Sequence, residues 1–193
     1  MSLYASIAIL SLAATPAPVA ADSACPVLRP NDVPVQGRQS PLDSLTITVA
    51  KQTVKICYGR PSARGRTMIG GQGVPYGKLW RTGANEPTVI LTPVALEIAG
   101  VKVASGKYSL YSVPGEKEWK IIVNRSTSQW GHENSYTKEV EAQEVGRGKA
   151  PAERLSTPVE TFTIAPYPAS GETQSLVLTW EKTRVAIPIK AAT

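Results

Sequence analysis

From Leu45 onward, hydrophobic and polar residues alternate with a period of two, the signature of strands with one buried face. Leu45, Ile47 and Val49 alternate with Thr46 and Thr48, and Val54, Ile56 and Tyr58 follow. Further runs are Val89 with Leu91, Leu96 with Ile98, Tyr108 with Leu110, and Trp119, Ile121 and Val123. The chain closes with Phe162 and Ile164, then Leu176, Leu178 and Trp180, then Val185, Ile187 and Ile189. Turn signals separate these runs at Ala99-Gly100, Ser105-Gly106, Pro114-Gly115, Ser170-Gly171 and Glu181-Lys182. Residues 138–147 fit a short helix nearly as well as a strand. Pro188 inside the last run predicts an edge strand. About nine strands, each with one apolar face, need a second layer to cover that face. The expectation is an all-β fold, a β-sandwich of jelly-roll type.

The N-terminal end does not share this pattern. Residues 1–21 carry no charge and contain a short apolar run, Leu3, Ile7, Ile9, Leu10 and Leu12, followed by Val19-Ala20-Ala21. That is the layout of a signal peptide, too short for a membrane span, although the usual basic residue after Met1 is missing. Residues 22–43, with Pro26, Pro30, Pro34 and Pro41, read as a Pro-rich arm, and 44–193 as one β-sandwich domain. No other stretch is apolar enough to cross a membrane as a helix. The expected location is therefore the periplasm or the exterior.

An exported chain gives its two cysteines an oxidising setting, and Cys25 and Cys57 are candidates for a disulfide. A lipid anchor at Cys25 is the alternative, with Asp22 standing where a bacterial lipobox wants leucine. One histidine and two cysteines exclude a His-rich or all-cysteine metal centre, so no metal and no cofactor are expected. A composition of 42% hydrophobic and 19% charged residues excludes a disordered chain. The net charge of +6 raises the question of a polyanionic partner, but no nucleic-acid motif accompanies it. Envelope polyanions are the more natural counter-charge.

One connection is too long for a compact β domain. Residues 61–85 show little strand pattern, and connections beyond about 12–15 residues are often functional. With its two flanking residues the segment holds Arg60, Ser62, Arg64 and Arg66, then Trp80, Arg81, Asn85 and Glu86. Planar guanidinium groups converging on one hollow suit a carboxylate, phosphate or sulfate through paired hydrogen bonds. In this reading Arg81 is oriented by Glu86, Ser62 and Asn85 add neutral contacts, and Trp80 forms a wall. The competing reading is structural: Arg81 and Glu86 pair to stiffen the loop, and Trp80 plugs the core. Trp130 and His132, in a later loop, form a second tier, with His132 a conceivable general base. Counting strands up and down places that loop at the opposite end from Arg60. Ser135-x-x-Lys138 matches a penicillin-interacting motif without its companion motifs, and is set aside.

Three segments taken together carry a resemblance. They are Tyr58-Gly59-Arg60-Pro61-Ser62-Ala63-Arg64-Gly65-Arg66, Val74-Pro75-Tyr76-Gly77-Lys78-Leu79-Trp80-Arg81-Thr82-Gly83-Ala84-Asn85-Glu86, and Gly106-Lys107-Tyr108-Ser109-Leu110 through Trp119 to Gln129-Trp130-Gly131. The chain resembles the bacterial exported family called domain of unknown function 2911, over roughly residues 43–190. The resemblance implies an exported β-rich domain and marks the 61–85 connection as a family signature. It implies no activity, cofactor or catalytic residue.

The functional expectation is a binding module for a small anionic or carbohydrate-like ligand. Two alternatives stand beside it: a hydrolase or lyase on envelope polymer with Glu86 as acid or base, and a structural envelope protein. Glycosidase chemistry wants two carboxylates, and the long connection offers one.

Overall fold

The computed structural model describes residues 24–29, 31–168 and 173–193. The signal-peptide expectation and the Ser170-Gly171 turn lie outside the described residues. Nine strands form: β1 (Leu42–Val49), β2 (Gln52–Gly59), β3 (Thr88–Thr92), β4 (Leu96–Ile98), β5 (Val101–Val103), β6 (Gly106–Val113), β7 (Glu118–Asn124), β8 (Glu144–Pro168) and β9 (Gln174–Ala191). The chain is all-β, and its helical content among the described residues is one 3₁₀ turn, Glu133–Ser135, and one short helix, α1 (Lys138–Glu141). The ambiguous stretch therefore divides, with α1 first and β8 beginning at Glu144.

The strands follow one antiparallel order, β1-β2-β3-β6-β7-β8-β9-β4-β5. One strand, β8, is shared between two partners. Its first part, Glu144 to Pro151, pairs with β7, and the part from Ala152 onward pairs with β9. The order folds back on itself, so the β4–β5 hairpin comes to lie against the start of β8. A Cβ on Gly148 would stand 2.0 Å from the Ala99 carbonyl, so only glycine allows this approach. On the other side, the chain just past β2 joins the second half of β8. Ala63 N donates to Glu160 O and Phe162 N to Pro61 O, at 2.9 and 2.8 Å.

The enclosed core draws inward-facing residues from both parts, among them Val54, Ile56, Leu110, Trp119, Phe162, Trp180 and Ile187. Trp80 sits at its centre, stacked on Trp180 (5.9 Å, 19°) and edge-on to Phe162 and Trp119. Both short hairpins turn through two residues of positive φ, Ala50-Lys51 and Ala99-Gly100, the geometry that matches strand twist.

Two expectations about the last strands change. Glu181-Lys182 is not a turn. Glu181 adopts φ 51° inside a single strand, β9, and the β8–β9 register shifts there. Pro188 lies in a strand that is interior along most of its length. β8 pairs with β9 only as far as Val185, and β4 takes up the other side at Ile189, so Pro188 sits where no second ladder asks for its missing N–H.

Every residue of β3 is buried, which requires cover on both faces. Ile90 points into the main core, while Val89 and Leu91 form a small outer cluster with Cys57, against which Cys25 packs. Cys25 and Cys57 are joined in a disulfide. The Pro-rich arm is thus a cover for the outer face of β2 and β3 rather than a free linker.

Candidate functional site

The 61–85 connection is held at many points along its length. Met68 N and Ile69 N both donate to the Glu181 carboxylate, at 2.7–3.1 Å, which ties the connection to β9 at its positive-φ residue. Gly77 N donates to Pro114 O, and Trp80 exchanges two backbone hydrogen bonds of 2.8 Å with Ser112 on β6. Thr82, fully buried at φ 54°, is a β-branched residue in the left-handed region. Its hydroxyl donates to Ser112 Oγ at 2.9 Å, and its carbonyl accepts from Thr88 Oγ1 at 2.7 Å. The segment behaves as an irregular extension of the sheet.

This anchoring disperses the arginines instead of converging them. Arg60 reaches Asp43 (3.2 Å), the Phe162 carbonyl and Thr163. Ser62 bonds to Thr161 across the bridge to β8 at 2.8 Å. Arg64 turns to Gln39, and Arg66 folds back on the carbonyls of Ser62 and Ala63. Asn85, at φ 64°, donates to the Ser40 carbonyl.

Glu86 does not pair with Arg81. Its partner is Arg38 of the arm, which donates Nη1 to Oε2 at 2.7 Å and Nη2 to Oε1 at 3.1 Å, while Leu28 N adds a bond to Oε1. The residue is 3% exposed and both oxygens are occupied, so it is not placed to exchange protons with a substrate. The cysteine-clamped arm carries Arg38 to Glu86, and that outcompetes a neighbour five positions away.

Arg81 is left with a different environment. Its Nε and Nη1 are buried without a hydrogen-bond acceptor among the described residues. The nearest carboxylate, Glu133, stands 3.8 Å from Nη1, beyond hydrogen-bond range. The side chain lines a cavity of about 400 Å³ together with Ser40, Gly83, Trp80, His132 and Glu133.

The loop that supplies His132 and Glu133 therefore shares an end with Arg81, contrary to simple strand counting. Past β7 the chain doubles back along β6: Ser109 Oγ donates to Ser126 O, and Gln129 Nε2 donates to the Tyr111 hydroxyl. Gly131 N then donates to Asn85 O at 3.1 Å. A Cβ at Gly131 would lie 2.3 Å from Asn85 O and 2.5 Å from Arg81 Cδ, so glycine is required where the two loops meet. Tyr111, below this junction, has its phenol pushed up by burial, partly countered by the Gln129 hydrogen bond and by the Arg81 charge.

His132 caps the 3₁₀ turn, its Nδ1 accepting from Asn134 N at 3.3 Å, and is exposed at the cavity edge. Trp130 instead receives the Arg29 guanidinium over its ring at 5.5 Å, another point at which the arm is fastened. Sequence reasoning passed over Arg38, Ser40 and Glu133. The first two lie in a stretch without pattern, whereas Glu133, beside His132, was a visible carboxylate that strand counting placed elsewhere. Among the described residues no group of three or more His, Cys, Asp or Glu side chains could hold a metal, and no helix is long and apolar enough to cross a membrane.

These features define an all-β protein with a disulfide-clamped arm and an arginine-bearing cavity at the meeting of two loops. The chain belongs to the family described as protein of unknown function, DUF2911, which it matches over residues 40–189. No curated protein and no solved structure matches it.

Proposed function

We propose that this is an exported binding module whose ligand is a small anion, seated in the Arg81 cavity. The single observation that carries this reading is that Arg81 Nε and Nη1 are buried without a hydrogen-bond acceptor among the described residues. A buried donor without an acceptor costs about 1–3 kcal/mol, so a group that supplies acceptors there gains that energy on binding. Carboxylate or phosphate oxygens match the planar fork. Glu133, 3.8 Å from Nη1, faces the cation without closing a hydrogen bond to it. The disulfide supports export, because such bonds persist in oxidising compartments.

The test is thermal unfolding with acetate, malonate, phosphate and sulfate at constant ionic strength, on the wild type and Arg81→Gln. At a hundredfold excess over its dissociation constant, a ligand adds about 2.7 kcal/mol of stability. One of these anions raises the wild-type midpoint, and the variant loses that response while folding normally. Equal responses of the two proteins sink the proposal.

A structural reading is favoured by the Arg38–Glu86 pair, in which Glu86 is bonded to the N-terminal arm. It separates cleanly: under it, no anion protects the wild type, and Arg81→Gln lowers stability without any ligand present.

A further inference from the structure

A second recessed surface lies away from Arg81, between the 61–76 segment and the β8–β9 ladder. Two adjoining cavities, of about 500 and 330 Å³, share Tyr76, Arg154, Lys182 and Thr183 and so form one trough. It exists because the ladder breaks there. Arg154↔Thr183 and Val159↔Glu181 are successive pairs, so residues 155–158 stand opposite Lys182 alone.

Three properties of the trough point to one kind of occupant. Tyr76 is 42% exposed, an unusual degree for a large aromatic side chain. Its ring is nevertheless held, since a Cβ on Gly70 would lie 2.6 Å from Tyr76 Cε2. The ring is therefore packed on Gly70 and still partly open to solvent. Along the same wall, the side chains of Lys117, Arg154 and Lys182 have no hydrogen bond or ion pair among the described residues. Three of the nearby carboxylates, in contrast, are committed. Glu181 accepts from Met68 N and Ile69 N, Glu160 from Arg64 N, and Glu153 pairs with Arg184 at 2.7 Å.

We propose that this trough binds a stretch of anionic polysaccharide, one sugar ring lying on Tyr76 and the acidic groups of the chain meeting Arg154, Lys182 and Lys117. A sugar ring presents an apolar face that an aromatic ring covers, and its charged substituents need donors at the rim. Two connected hollows suit a run of sugars better than a single one. This site is separate from the Arg81 cavity and does not depend on it.

The test is affinity electrophoresis of the folded protein through gels containing polygalacturonate, with dextran as the neutral polymer. The wild type is retarded by polygalacturonate and not by dextran. Tyr76→Ala weakens the retardation at least about fivefold, a loss that only a minority of interface residues cause on truncation, and Arg154→Gln with Lys182→Gln weakens it further. Lys107→Gln with Lys138→Gln, which removes the same charge elsewhere, leaves it unchanged, and so does Arg81→Gln. Absence of retardation of the wild type overturns the proposal. It is also overturned if the remote lysine pair weakens binding as much as the trough pair, which would make the effect one of net charge, or if Arg81→Gln abolishes it.

Discussion

Arg38 and Glu86, 48 residues apart in the chain, meet as a two-pronged ion pair whose side chains are 2% and 4% exposed. Arg38 Nε also donates to the carbonyls of Val33 and Pro34 and Nη2 to that of Val33, so each nitrogen of the buried cation has a partner. Such a pair costs much to desolvate and much to break, because the surviving partner is stranded. Glu86→Gln or Arg38→Met alone is expected to destabilise the fold by about 3–5 kcal/mol in urea unfolding. Arg38→Met combined with Glu86→Leu restores most of that loss. Additive losses in the double variant contradict this account.

The disulfide from Cys25 to Cys57 closes a loop of 32 residues and secures the arm that carries Arg38. Chain-entropy arguments give about 3–4 kcal/mol for a loop of this size. Reduction, or Cys25→Ser with Cys57→Ser, is expected to lower the unfolding midpoint accordingly. Backbone amides of β3 then exchange faster with deuterium, because Val89 and Leu91 lose their cover. An unchanged exchange pattern refutes the covering role.

Gly131 is where the two loops touch. Gly131→Ala forces a methyl against Asn85 O and Arg81 Cδ, and overpacking of this kind costs about 1–3 kcal/mol. The expected signature is a local one: any anion response at Arg81 disappears, while the near-ultraviolet spectrum of the tryptophan core persists.

Acid and alkali act on one network through opposite signs. Tyr136 donates to Glu144 Oε1 at 2.5 Å, and Arg147 bonds to the same carboxylate. Burial raises the Glu144 carboxyl, but the Arg147 and Tyr136 hydrogen bonds together outweigh it and hold the group below its ordinary range. A depressed carboxyl stabilises the fold above its unfolded value and ceases to do so as pH falls through the folded one. Glu144→Gln therefore flattens the acid side of the stability profile below about pH 4.3. Tyr136 is pushed well above the ordinary phenol range, first by burial and then by the Glu144 bond, and burial also raises Tyr58 and Tyr111. Groups raised in this way stabilise below about pH 10 and lose that contribution as pH climbs through their folded values. Tyr136→Phe shifts the alkaline limb of unfolding upward in pH, and ultraviolet titration of the folded wild type shows late-ionising phenols.

Much of the β architecture could be read from alternation: Ile47, Val49, Val54, Ile56, Tyr58, Tyr108, Leu110, Trp119, Ile121 and Val123 are buried as written, although Cys57, Tyr111 and Ile122 between them are buried too. The first half of β8 could not. From Glu144 to Glu160 few side chains are buried, and two prolines interrupt, so backbone pairing alone defines the strand. β9 was divided in two because a positive φ at Glu181 is silent in sequence. The signature connection was recognisable as important, but its arginines were expected to converge. Where each guanidinium goes depends on Asp43, Gln39 and Arg38, contacts that local spacing does not encode.

The Arg81 cavity has walls that run from Ser40 to Trp180. Its lip belongs to the start of the domain and its floor to the penultimate stretch of chain emerging from synthesis. No fragment owns it, so neither truncation at either end nor a partly folded precursor can form the whole cavity. Under the proposed anion-binding role, ligand capture would report on completed assembly, and recovery of binding during refolding should lag behind every other sign of native structure.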